Sequence, residues 1–150
     1  FRILFEVLIS SKDIMWGREL RHGEQGGMKL LRLAKKAAGT WIRLVHEVWD
    51  IKGPTAELQH PILHFPHPSV AQYLEEMNQY STLNASYFYK QGVRPHWWHI
   101  LLYPASKFFV NYVIRLGFLD GTAGMVVAMM MSMHSFLTRA KLWQLWDKHA

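Results

Sequence analysis

Cysteine is absent from this chain of 150 residues, which excludes disulfide bonds and thiolate chemistry and leaves His, Asp and Glu as the possible metal ligands. Charged residues are few, at 19%, whereas hydrophobic residues make up 50%. That balance is typical of a folded protein and argues against a disordered chain. An Asp-x-Asp sequence, which could help to hold Mg²⁺ or Mn²⁺, occurs nowhere.

A concentrated basic stripe is also missing, although the formal net charge is +6 and nine His come in addition. The Lys and Arg residues are dispersed, whereas a nucleic-acid-binding surface needs them clustered beside base-stacking aromatics. A basic balance still predicts anionic partners. We therefore expect a diphosphate ligand or an anionic lipid surface, and no nucleic acid.

The length allows one sizeable core, so we expect one domain or one large piece of a domain. The first residues show neither an initiator Met nor the pattern of a signal peptide. We expect the chain to be a piece of a longer protein.

Apolar runs predict strands in the first part of the chain. Residues 1–10 predict a strand, and the polar, glycine-punctuated residues 11–27 predict a loop with at most one helical turn. Residues 28–33 and 40–47 predict the two strands of a hairpin, with a helix over 28–38 as the competing interpretation.

Proline and helical spacing organise the rest. Residues 58–65 predict a further strand, and Pro61 favours a sheet edge or a bulge for it. Ser69 is a predicted N-cap for a helix over residues 70–91, which Gly92 ends. Further helices are predicted from Pro104 to Arg115 and from about residue 125 to 148, with a bend around Asp120 between them.

Glu47 is the first candidate functional residue, because it ends an apolar, extended run. A carboxylate at a strand end can act as a general base, since partial burial raises its affinity for a proton. The alternative is a surface glutamate that pairs with Arg43 or Lys52.

Three imidazoles, His60, His64 and His67, fall within eight residues at the end of the next extended run. They could bind a divalent metal or a diphosphate, although their spacing matches no closed zinc pattern. The alternative is that one packs in the core, one is exposed and one caps the helix.

Residues 16–24 combine an aromatic side chain with two arginines, a histidine and two glycines. Glycine lets a ligand approach the backbone, and arginine forms paired hydrogen bonds to phosphate or carboxylate. A solvated loop is the alternative.

Residues 121–138 contain no Asp, Glu, Lys or Arg. That is the lower limit of length for a spanning helix, and Gly, Ser and His reduce its hydrophobicity. Arg139, Lys141, Trp143 and Trp146 follow at once, which favours an interfacial or re-entrant helix on an anionic leaflet. The alternative is a buried helical hairpin of a soluble domain.

Taken in order, these segments resemble the C-terminal half of inverting family 2 glycosyltransferases of the GT-A fold, in particular bacterial enzymes related to lipopolysaccharide-core glucosyltransferases. The resemblance covers about residues 12 to 146. The matching segments are GREL at 17–20, HGE at 22–24, RL at 32–33, GTW at 39–41, VHE at 45–47, ILHFPHPS at 62–69, NQYSTLNA at 78–85, PASKFF at 104–109, GFLDG at 117–121, HSFL at 134–137 and KL at 141–142.

The resemblance implies a mixed α/β fold. Residues 1–92 would be part of a GT-A catalytic domain with a few N-terminal strands, and residues 93–150 an amphipathic, membrane-proximal helical region. It implies transfer of a hexose from a nucleotide-sugar donor to a lipid-linked or envelope glycan acceptor, at the cytoplasmic face of the bacterial inner membrane. The divalent ion, Mg²⁺ or Mn²⁺, would be held mainly by an N-terminal half that this chain lacks, so the chain alone would be inactive.

The resemblance also implies residue roles. Glu47 would deprotonate the acceptor hydroxyl, and His64 would lie near the metal and the diphosphate, as a possible metal ligand. Donor-diphosphate contacts would come from His46, His64, Gln79, Tyr80 and Arg18. The sugar pocket would be lined by Trp16, Gly17, Glu19, His22 and Glu24.

Two other functions stay open on the sequence alone. One is a non-catalytic, membrane-associated helical module in which the His and Glu residues are structural. The other is a metal hydrolase that holds zinc through its histidines.

Overall fold

The computed structural model describes residues 6–34, 39–42, 48–51 and 55–147, and within them the protein is a mixed α/β structure. The helices are α1 (Val70–Lys90), α2 (Trp97–Phe109) and α3 (Gly121–Asp147), with a π-helical segment (Val110–Ile114) and a 3-10 turn (Gly117–Asp120) between the last two. The strands are β1 (Glu6–Met15), β2 (Arg18–Leu20), β3 (Lys29–Ala34), β4 (Gly39–Ile42), β5 (Val48–Ile51) and β6 (Thr55–His64).

Strand β1 is the centre of a four-stranded sheet. It pairs antiparallel with β2 and β3 on one edge and parallel with β6 on the other, since Asp13 is opposite both Leu20 and His64. Strands β4 and β5 form a separate antiparallel pair. The predicted mixed class is therefore confirmed at this level.

The predicted loop over residues 11–27 is wrong in its first part, because β1 continues to Met15 and β2 follows it. A two-residue turn at Trp16 and Gly17, both with positive φ, joins the two strands. The polar residues Ser11, Lys12 and Asp13 have weak strand propensity, which led to the loop prediction. In the structure, the pairing of β1 with two neighbouring strands outweighs that propensity.

The predicted hairpin between residues 28–33 and 40–47 is also wrong in its pairing. Strand β3 pairs with β1, and β4 pairs with β5. The competing helix over 28–38 is excluded for residues 29–34, which are extended. Sequence alternation identifies a strand but not its partner, which the sheet as a whole selects.

The prediction that Pro61 marks an edge or a bulge is confirmed. Among the described residues, β6 pairs with β1 alone, and its register with β1 shifts where Ile9 is opposite Leu58 but Ser11 is opposite Ile62. Proline lacks the N–H that the ladder needs, so the irregularity falls at its position.

Helix α1 has the predicted boundaries. The Ser69 side chain accepts a hydrogen bond from the Gln72 N–H at 3.1 Å, and the helix ends in a Schellman motif at Gly92. There the Gly92 N–H donates to Tyr89 O and the Val93 N–H donates to Phe88 O, at 2.9 and 3.0 Å. Gly92 has φ +74°, and this left-handed conformation has little steric strain in glycine because glycine lacks a Cβ.

The last two helices begin earlier than predicted. Helix α2 starts at Trp97, so Pro104 lies inside it, and α3 starts at Gly121 rather than near residue 125. The bend around Asp120 is confirmed, and it depends on close packing. A Cβ on Gly124 would collide with the Gly117 carbonyl oxygen, so the first turn of α3 can lie against the 3-10 turn only because residue 124 is glycine.

The core lies between the sheet and two of the helices. Met15 and Leu20 from the sheet pack against Tyr73 and Met77 of α1 and against a stripe of α3. The α3 stripe consists of Ala123, Val127 and Met130. This core joins residues on both sides of the predicted boundary at 92/93, and the division into two domains stays a prediction.

Candidate functional site

His64 and Asp13 form a hydrogen-bonded pair at the end of β6. The His64 Nδ1–H donates to Asp13 Oδ1 at 2.9 Å, and the Ser11 hydroxyl donates to the same oxygen at 2.9 Å. Asp13 is 4% exposed, whereas the His64 side chain is 50% exposed. A buried carboxylate therefore orients an imidazole whose side chain is half exposed to solvent.

A second imidazole–carboxylate pair follows at once. His67 Nδ1 lies 2.9 Å from Glu76 Oε2, and its ring stacks on Tyr73 at 3.8 Å between centroids. Burial lowers the pKa of His67, and burial raises the pKa of Tyr73 to about 12. His67 has φ +51°, so the chain reverses here through a conformation that non-glycine residues seldom adopt.

Asp120 holds the segment that the sequence analysis assigned to the sugar pocket. Its Oδ2 accepts the backbone N–H groups of Arg21 and His22 at 3.1 and 2.9 Å, and its Oδ1 accepts His22 Nδ1–H at 2.7 Å. Arg18 donates to the Asp120 carbonyl oxygen at 3.4 Å. We call residues 21–24, which follow β2, the clamped loop, because the carboxylate of Asp120 holds the backbone N–H groups of Arg21 and His22.

The clamped loop is also attached to the helices before Asp120. The Gly23 N–H donates to Arg115 O at 2.9 Å, and Lys107 Nζ lies 2.7 Å from Glu24 Oε2. Between them Asn111 is 3% exposed, and its Oδ1 has no partner in the part of the chain that the structure describes. The loop is therefore built on the connection from α2 to α3.

These groups line a narrow pocket. The empty space between them is about 230 Å³ with the open solvent at its mouth included, so the enclosed part is smaller still and far below the roughly 300–1,000 Å³ of small-molecule sites. It can admit a single polar group rather than a whole sugar. The lining residues include His22, Glu24, Asn111 and Asp120.

The predicted pocket residues are only partly brought together. His22 and Glu24 line the pocket, and Arg18 contacts Asp120 beside it. Trp16 packs on the core, Gly17 lies in the turn between β1 and β2, and Glu19 pairs with Lys12 and Arg21 instead.

Gln79 and Tyr80 lie on the surface of α1. Their neighbours Asn78, Ser81 and Thr82 instead surround Lys141 of α3, whose Nζ lies 2.6–2.8 Å from four of their oxygens. Burial lowers the pKa of Lys141. These three residues therefore tie α1 to α3, and the diphosphate contacts of Gln79 and Tyr80 stay predictions.

Glu47 and His46 lie outside the described residues, so their predicted roles stay predictions. The described ranges contain no group of three His, Asp or Glu side chains that could hold a metal ion. The ligand sets proposed from His64, whether for Mg²⁺, Mn²⁺ or zinc, therefore find no complete site there, and these assignments also stay predictions.

The segment from α2 to α3, which we call the helical hairpin, exposes a large apolar surface. Helix α2 has no buried residue, and Trp97, Leu101 and Ile114 are 75%, 61% and 62% exposed. Large continuous apolar patches are seldom exposed on monomeric soluble proteins and are typical of surfaces that contact a partner or a membrane.

The dimensions of the hairpin limit how it could meet a bilayer. In the described ranges, every individual helix falls short of the length and apolarity needed to cross one. The pair Trp97–Ile114 and Gly117–Asp147 together reach that length and composition, but with a bend of 71° between them.

Three residues that hold the candidate site and the helices together were missed by sequence reasoning. Asp13 was read as part of a loop, Asp120 only as the centre of a bend, and Lys141 only as a basic anchor. Continuing the alternation of Ile9 to Asp13 and Met15 would have placed Asp13 on the inner face of β1. No local sequence pattern predicts the partners of Asp120 and Lys141, because those partners lie more than 55 residues away in the chain.

Comparisons with models of known protein families, with curated proteins and with solved structures find no match for this chain.

Proposed function

We propose that this chain is the acceptor-side portion of an inverting glycosyltransferase of the GT-A fold, working at the cytoplasmic surface of a bacterial inner membrane. The observation that carries the proposal is the attachment of the clamped loop to the exposed apolar hairpin. This arrangement holds polar groups directly beside a surface that suits lipid, as a lipid-linked acceptor requires.

The proposed reaction is a direct displacement at the anomeric carbon of a nucleotide sugar. Glu47 takes the proton of the acceptor hydroxyl as its oxygen bonds to that carbon, and the nucleoside diphosphate leaves with the electron pair of the broken bond. His64, oriented by Asp13, is proposed to face the departing diphosphate. A divalent ion, when bound, would offset charge there, and we assign it to the nucleotide-binding half that the family carries.

The membrane part of the proposal is tested by flotation with phospholipid vesicles. Replacing both Leu101 and Ile114 with Asp removes two exposed apolar contacts, each worth roughly 1.5–3 kcal/mol when buried. Vesicle affinity should fall by about 100-fold or more.

The matched control for flotation is Leu58→Asp with Ile62→Asp. These two side chains are 48% and 46% exposed on the sheet. The control therefore makes the same Leu→Asp and Ile→Asp substitutions on a surface away from the hairpin. Equal vesicle binding by both double variants and the unchanged chain would contradict membrane docking through the hairpin.

The catalytic part is tested by Glu47→Gln in a chain joined to its nucleotide-binding half. General-base catalysis contributes roughly 10²–10⁴-fold in rate, so transfer to a lipooligosaccharide acceptor should fall by about that factor while donor binding stays nearly intact. Glu57→Gln is the control, because Glu57 is an exposed glutamate of β6 that pairs with Lys29. Transfer at the unchanged rate in Glu47→Gln would exclude Glu47 as the base.

A non-catalytic, membrane-associated helical module is the second candidate, since the same exposed hairpin supports it. It predicts vesicle binding in all chains except the hairpin variant and no sugar transfer in any of them.

A further inference from the structure

Two arginines, Arg94 before α2 and Arg139 in α3, pack on aromatic rings and lack a carboxylate partner among the described residues. The guanidinium carbon of Arg139 lies 3.9 Å from the Tyr103 ring centroid, and that of Arg94 lies 4.6 Å from the Trp146 ring centroid. The ion pairs between described residues include neither arginine. Each guanidinium thus lies against a ring, and Arg139 also forms a side-chain hydrogen bond with Tyr103. A guanidinium has five N–H donors, so further donors of both arginines are suited to bind an anion.

Arg139 and Trp146, the residue on whose ring Arg94 packs, lie on the same side of α3. Trp146, which carries Arg94, follows Arg139 by seven residues, or two helical turns, which places them about 10 Å apart along the helix. Trp146 is held there, because its Nε1–H donates to Val93 O at 2.8 Å.

Arg139 is partly removed from water. Burial lowers its pKa, which is the expected effect when a cation loses hydration without gaining a carboxylate. A charge in that position is stabilised by an anion that forms hydrogen bonds to it.

The helical part of the chain carries almost no competing negative charge. From residue 77 to residue 146 the only acid is Asp120, against the cations Lys90, Arg94, Lys107, Arg115, Arg139 and Lys141. The Asp120 side chain is 6% exposed and already accepts hydrogen bonds from the clamped loop. Asp147 is exposed directly after this range, and Glu24 pairs with Lys107, so the surface around the apolar hairpin keeps a smaller excess of basic residues.

Tryptophan frames the same end of the hairpin. Trp97, at the start of α2, is 75% exposed, and Trp143, near the end of α3, is 50% exposed. Tryptophan and arginine beside an apolar helix are typical of the headgroup level of a bilayer.

We propose that Arg94 and Arg139 bind the phosphate headgroups of anionic phospholipids, where α2 begins and α3 ends. This inference rests on the proposed membrane docking of the hairpin and names its lipid partner. The apolar residues supply binding to any bilayer, and the two arginines supply the preference for an anionic one.

The test is flotation of the whole chain with vesicles of phosphatidylcholine alone and with vesicles that also contain phosphatidylglycerol. The unchanged chain should bind the anionic vesicles more tightly, and added salt should reduce that difference. A cation near an anionic surface contributes about 1 kcal/mol, so Arg94→Gln with Arg139→Gln should lower affinity for the anionic vesicles by about 30-fold. Its binding to neutral vesicles should stay nearly unchanged.

The control is Lys12→Gln with Lys29→Gln, which removes the same charge from exposed ion pairs on the sheet. This variant should keep the preference for anionic vesicles. Arg94→Lys with Arg139→Lys keeps the charge and should keep most of that preference, which separates loss of charge from loss of folding.

Three outcomes decide between the two proposals. Equal, salt-independent binding of the unchanged chain to both vesicle types overturns the arginine site and leaves membrane docking intact. An equal loss in the Lys12/Lys29 control shows a general effect of charge and also overturns the site. No binding to either vesicle type overturns the docking itself.

Discussion

Asp120 is a single side chain that organises the whole clamped loop. It is nearly buried, and its two carboxylate oxygens accept three N–H groups from Arg21 and His22. A carboxylate can accept all of these hydrogen bonds, whereas an amide replaces one acceptor oxygen with a donor group.

Asp120→Asn should therefore lower the free energy of unfolding by roughly 1–3 kcal/mol, because partly buried N–H groups lose their acceptor. The urea midpoint of the circular dichroism signal measures this change. Asp147→Asn serves as the control, since Asp147 is exposed at the end of α3. Equal midpoints for the two variants would show that the carboxylate is not a structural anchor.

At the scale of elements, the boundaries that depend on local chemistry were predictable. Ser69 and Gly92 fix the two ends of α1 by hydrogen bonds to nearby backbone groups, so the letters themselves carry the information. Pro61 marked the irregularity of β6 for the same reason.

Elements that depend on distant partners were not predictable. The N-cap of helix α2 is His96, which is not one of the usual capping residues. The backbone N–H of His96 donates instead to His99 Nδ1 at 3.0 Å. Pro104 was therefore taken as its start. The Ser132 hydroxyl of α3 donates to the Pro104 carbonyl oxygen at 2.8 Å, which ties this part of α2 to its neighbour. The partner of β3 likewise follows from the four-stranded sheet as a whole.

The candidate site divides in the same way. The sequence brought forward His64, His22 and Glu24, which the structure places in polar contacts. It did not supply their partners Asp13, Asp120 and Lys107, because no spacing rule links residues so far apart in the chain.

At the scale of the whole molecule, pH should act on the junction between sheet and helices. His67 joins the end of β6 to α1 through Tyr73 and Glu76, and burial lowers its pKa below the ordinary value of 6.5. The unfolded chain therefore binds a proton at this site that the folded chain resists. The stability contributed by neutral His67 is complete above pH 6.5 and is lost as pH falls through its lowered folded-state pKa.

Urea unfolding near neutral pH and at about pH 5 measures this effect. His67→Gln should lose less stability on acidification than the unchanged chain, because it has no imidazole to protonate. His60→Gln, which removes an exposed histidine of β6, should lose as much as the unchanged chain. The same loss of stability on acidification in all three chains would show that protonation of His67 does not cause it.

The contacts of Gly23 and Glu24 with Arg115 and Lys107 have a geometric consequence. They tie the pocket at Asn111 to α2 and to the segment that follows it, so the pocket stays close to the apolar surface of α2. With that surface inserted in a leaflet, the pocket would lie close above the bilayer surface. Chemical groups much farther out along a glycan chain would pass beyond its reach.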